Sequence, residues 1–146
     1  MPTVNRSALV RHSCEAMFGL VNDFESYPEF LPGCRRARVI EHEEGRYLIG
    51  EMTLAKGSVE QTLATRNDLY PYERIELSLA EGPFKRLNGR WLFTPMGESA
   101  CRVSLEMEFE FSNRLLGMAF GKLFQQVAGQ LVDAFTRRAD ALYGRQ

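Results

Sequence analysis

The chain has 146 residues, 45% of them hydrophobic and 25% charged, with a formal net charge of -1. That suits one domain with its own core and excludes a protein held to nucleic acid by bulk positive charge. No apolar run reaches the ~18–20 residues that span a bilayer, so no integral membrane segment is expected.

The start, MPTVNRSALV, has neither a signal-peptide core nor transit-peptide character. The expectation is a bacterial cytoplasmic protein, at most peripheral to the inner membrane. Residues 3–11 alternate loosely through Val4, Leu9 and Val10 and predict a first strand. Ser13 is a good N-cap with Ala16 at N3, and Glu15 lies in the first turn, where the helix dipole favours a carboxylate. Met17, Phe18, Leu20, Val21 and Phe24 give that helix its apolar stripe. Tyr27-Pro28-Glu29-Phe30-Leu31-Pro32-Gly33 reads as a turn-rich link with one short helical turn, because its prolines stop a long helix. Strands over 36–43, 46–55, 58–69 and 73–80 follow, with Gly or Pro at the joints. Residues 84–94 form a sixth strand, and Pro95-Met96-Gly97-Glu98 the last turn.

Cys101, Val103, Leu105, Met107, Phe109 and Phe111 are apolar, while Arg102, Ser104, Glu106, Glu108 and Glu110 between them are polar. This period of two predicts a strand with one wet and one dry face. A turn centred on Glu98 sets Arg90 opposite Glu106, Arg86 opposite Glu110, Trp91 opposite Leu105 and Phe93 opposite Val103. A slip of one residue would bury the glutamates. Residues 113–143 then predict one long helix, striped by Leu116, Phe120, Leu123, Phe124, Val127, Leu131, Phe135 and Leu142. Gly117 and Gly121 suggest an irregular first turn, and Gly129 a close backbone approach or a bend.

No catalytic residue, metal site or cofactor site is legible. His12-Ser13-Cys14 sits on a strand-to-helix junction whose side chains diverge, and His42 lies in an acidic hairpin tip. Glu106, Glu108 and Glu110 belong to the wet face. Cys14, Cys34 and Cys101 lack a CxxC spacing, so free thiols are expected, with no disulfide framework. Arg35, Arg36 and Arg38 follow the Pro-rich link without predicted partners, which makes them candidates for phosphate contact. Ten Phe and six Met leave apolar side chains beyond ordinary need, so a lipophilic pocket competes with a filled core.

The segments Tyr27–Pro32, Glu81-Gly82-Pro83-Phe84-Lys85-Arg86-Leu87, Gly89-Arg90-Trp91-Leu92-Phe93, Phe109-Glu110-Phe111-Ser112-Asn113 and Val132-Asp133-Ala134-Phe135 resemble the polyketide cyclase/lipid transport family. The family includes coenzyme Q-binding START-like proteins and bacterial ribosome association toxins. Gly33 departs from it, where an aromatic often follows Phe-Leu-Pro. The resemblance implies a single α+β domain over 1–146 with the helix-grip fold. That fold is a curved antiparallel sheet of about seven strands around a long C-terminal helix, with two short helices after the first strand.

The leading expectation is non-catalytic binding of ubiquinone or a related polyisoprenoid lipid, in support of respiration. The expected ligand contacts are Phe30 and Leu31 as a lid, and Leu77, Leu79, Trp91, Phe93, Leu105, Met107, Phe109, Phe120, Phe124 and Val127 as walls. The alternative is a toxin that binds the large ribosomal subunit through Arg35, Arg36 and Arg38 and blocks subunit association and translation. A cyclase is the weakest reading.

Overall fold

The structure, a computed structural model, describes residues 3–144. Its elements in chain order are β1 (Thr3–Val10), α1 (Cys14–Asn22), a 3-10 helix (Phe24–Glu29), β2 (Cys34–Glu43), β3 (Tyr47–Lys56), β4 (Val59–Tyr70), β5 (Arg74–Glu81), β6 (Phe84–Pro95), β7 (Cys101–Phe111) and α2 (Arg114–Tyr143). The strands form one antiparallel seven-stranded sheet in the order β1-β7-β6-β5-β4-β3-β2. The sheet curves around α2.

The hairpin β6–β7 has the register that charge and apolar matching demand. Arg90 pairs with Glu106, Arg86 with Glu110, Trp91 with Leu105 and Phe93 with Val103. On the inner face Leu105 and Phe109 are fully buried. On the outer face Arg90 and Arg86 each reach 3.6 Å from their glutamates. The first strand joins this hairpin from the other side, with Val4 opposite Met107 and Val10 opposite Cys101.

The N-cap at Ser13 is present: its Oγ accepts from the Ala16 backbone at 3.1 Å. Asn113 does the same for α2, accepting from Leu116 at 2.9 Å. β2 begins at Cys34, two residues before the predicted start, because the Gly33 carbonyl accepts from Ala55 and extends the ladder. Gly117 and Gly121 do not loosen α2 as expected. Both lie in regular helix and seat the Phe111 ring, with a Cβ on Gly121 falling 3.3 Å from it. Gly33 has a φ of +87°, and a Cβ there would stand 2.8 Å from Val127. An aromatic side chain fits neither constraint.

The expectation of free thiols is corrected by a disulfide between Cys14 and Cys101, which ties the start of α1 to the start of β7. Sequence spacing missed it because the two residues are 87 positions apart. β1 and the turn after it bring them together, with Val10 paired to Cys101 four residues before Cys14. Cys34 is free and buried.

Candidate functional site

Two places compete for function: a hollow between sheet and α2, and an arginine-bearing edge. The hollow lies between the inner face of the sheet and α2. Phe24 and Tyr27 of the 3-10 helix close one side, and Met52, Leu54, Leu63, Leu77, Leu87, Trp91 and Met107 form the sheet wall. Phe124, Val127, Ala128 and Leu131 of α2 face them. The cavity volume is ≈ 60 Å³. One water needs ~10–15 Å³ by this measure, so a few waters fit. Pockets for drug-sized ligands run to ~300–1,000 Å³.

Of the expected ligand contacts, Leu77, Trp91, Met107, Phe124 and Val127 line the hollow. The others stand elsewhere. Leu105, Phe109 and Phe120 are fully buried packing residues, and Leu31 and Phe93 are nearly so. Phe30 is half-buried, with its ring against Tyr27 and Phe135 and the Arg138 guanidinium 5.1 Å from its centroid. Leu79 is half-buried outside the cavity lining.

Thr65 and Asn67 also line the hollow, and sequence reasoning passed over them. Both are buried, and the Thr65 hydroxyl donates to Asn67 Oδ1 at 2.8 Å. The signal was present in β4. Leu63, Thr65, Asn67 and Leu69 share its inner face, so two polar side chains interrupt an apolar row. Tyr27 is the third polar group there. Its hydroxyl donates to the Val21 carbonyl, and burial pushes its pKa far above the usual phenol value, so it stays protonated. Among the described residues, neither a histidine nor a carboxylate lines the hollow.

The arginine edge corrects a second expectation: these arginines have partners. Arg35 and Arg36 share Glu60, at 3.1 and 3.3 Å, and Arg38 meets Glu51 at 2.9 Å. Cross-strand reach explains it, since Glu51 lies opposite Arg38 in the β2–β3 ladder. The three guanidinium side chains stay 53–68% exposed, so these pairs hold by ~0–1 kcal/mol and yield readily to a stronger anion. Two carboxylates pair with the three cations, and a third, Glu25, accepts from the Val39 backbone beside Arg38. Together with Pro28 and Thr53, the three arginines border an open groove of ≈ 380 Å³.

His12, Cys34 and Tyr47 are each held within the fold. His12 is buried, with Nε2 2.9 Å from Asp140 Oδ1, and it ties the β1–α1 junction to the end of α2. Burial pushes the Cys34 thiol up to about 11, so it is a poor nucleophile. Tyr47 donates to Glu41 at 2.6 Å, and that bond raises its pKa. No helix in the described residues is long and apolar enough to cross a membrane.

The sequence pattern of the family described as polyketide cyclase/dehydrase and lipid transport matches residues 10–136. The Vibrio cholerae protein named ribosome association toxin RatA is 48% identical over 144 residues, covering 99% of each chain. The Xenopus laevis coenzyme Q-binding protein COQ10 homolog B, mitochondrial, is 27% identical over 97% of this chain and 59% of its own. Among solved structures, a START superfamily protein from Mycobacterium smegmatis superimposes with a TM-score of 0.77 at 21% identity, covering 96% of this chain and 98% of that one. By sequence pattern over most of its length, and with a sheet wrapped on a terminal helix, this chain belongs to the polyketide cyclase/dehydrase and lipid transport family, in its START-like, helix-grip form.

Proposed function

We propose that this protein is a ribosome-associating toxin that acts without catalysis. The observation that carries the reading is the 48% identity, end to end, with a protein named for ribosome association. The leading expectation from sequence, ubiquinone binding, rests on a 27% relative instead. The geometry favours the same order, since a hollow of ≈ 60 Å³ is far below what a polyisoprenoid needs. In this reading the partner is the large subunit, and Arg35, Arg36 and Arg38 exchange their weak carboxylate partners for backbone phosphates. Overproduction in a bacterial host is expected to raise free subunits at the expense of assembled ribosomes in a sucrose gradient. Reversal of all three arginines to glutamate is expected to abolish the shift while circular dichroism shows a folded protein. An unchanged gradient with the parent protein overturns the reading; a shift that survives the reversal moves the contact elsewhere on the surface.

A second reading is favoured by the Thr65–Asn67 pair. A polar couple in an apolar hollow suits the oxygen-bearing end of a lipophilic molecule, including a quinone carried at the inner-membrane face. Native mass spectrometry of protein purified from cells is expected to show a retained lipid that Leu77→Trp displaces. A bare mass in gentle conditions counts against it. The cyclase reading has least support, because the hollow offers no acid–base pair.

A further inference from the structure

The first two turns of α2 turn an apolar face to solvent. Leu115 and Met118 are each 75% exposed, and Ala119 beside them is exposed too. Exposed cations flank them on the same helix, Arg114 before and Lys122 after. A third, Lys85, lies at this end because Ser112 donates to the Pro83 carbonyl and Phe84 pairs with Phe111. Lys85 is 65% exposed and 3.7 Å from Glu110. Between Glu110 and Asp133 the sequence has no acidic residue. Acids near a helix start would be stabilising, so this stretch forgoes local stability and keeps its end positive.

From this juxtaposition we propose that the Leu115–Met118 face docks on an anionic bilayer surface, with the two apolar side chains entering the interface and Arg114, Lys122 and Lys85 meeting lipid phosphates. Charge complementarity and side-chain type select this occupant. An RNA strand would also meet the cations, but single-stranded RNA stacks on exposed rings; the side chains exposed between these cations are aliphatic, with Phe120 buried and Phe111 packed against the core. A second copy would set Arg114 and Lys122 near their own counterparts across a two-fold interface, while the acid at this end, Glu110, already faces Lys85 and Arg86. No residue of this face lines the arginine groove, so the two surfaces are tested by different substitutions.

The test is flotation of the purified protein with vesicles of phosphatidylcholine alone, or mixed with phosphatidylglycerol in equal parts. Binding is expected only to the mixed vesicles, and salt should weaken it. Leu115→Gln with Met118→Gln is expected to lower it about tenfold or more. Arg114→Glu with Lys122→Glu should abolish it. All four positions are exposed, so thermal melting should match the parent. No binding to mixed vesicles, or full binding by the Gln pair, overturns the proposal. So does a vesicle-inactive protein that binds single-stranded RNA or forms a dimer through Leu115.

Discussion

Gly50, with no side chain, makes room for an aromatic ring in the interior. Its strand passes so close to the 3-10 helix that a Cβ would lie 2.5 Å from Phe24 Cζ. Phe24 fills that space and also forms part of the cavity wall. Gly50→Ala is therefore expected to cost about 1–3 kcal/mol in chemical denaturation, as overpacking does. Phe24→Leu removes the ring, so the double variant should lose less than the sum of the two single ones. Cys34 makes a prediction in pH. Its thiol is raised from 9.0 to about 11 by burial, so the folded state holds the proton more tightly than the unfolded one. That contribution is complete below pH 9 and is lost as the pH climbs toward 11. The fall in denaturation midpoint over this window should be shallower in Cys34→Ala. Equal slopes in the two proteins would refute it.

At the scale of elements, the Cys14–Cys101 bond closes a loop of 87 residues and fastens α1 to the sheet. A loop near that size restricts the unfolded chain by about 4.6 kcal/mol in the chain-entropy account. Unfolding in denaturant with and without a reductant is expected to differ by an amount of that order, and Cys14→Ser should remove the difference. The strands and long helix were legible because burial imposes periods of two and 3.6 on β7 and α2. The N-cap at Ser13 is local chemistry and was as readable; the cap at Asn113 is of the same kind, although in the sequence that residue reads only as the start of the helix. The disulfide was not, since it depends on β1 lying beside β7, a pairing between distant segments. The Arg38–Glu51 and Arg36–Glu60 contacts escaped for the same reason: they cross strands whose register had not been worked out.

For the whole molecule, a net charge of -1 means that attraction to an RNA-rich partner must come from a local patch. If Arg35, Arg36 and Arg38 each neutralise a phosphate, ribosome affinity should fall steeply with salt. Reversing them should flatten the log–log slope by about two to three. An unaltered slope would exclude that contact. The hollow was only half legible. An apolar, Met-bearing interior was visible in the sequence, but its volume follows from sheet curvature and from how tightly Phe109, Phe120 and Phe135 pack. No single-residue pattern encodes that.

If the bond between α1 and β7 opens and closes in the cell, the abundance of this protein should follow its surroundings. Where thiols are kept reduced, a loss of about 4.6 kcal/mol multiplies the unfolded fraction by roughly two thousand, and unfolded chains are what proteases remove. Where oxidants prevail, the same chain persists. Its turnover in the cell would then report the local thiol balance, and the fraction of its partner that is bound would follow.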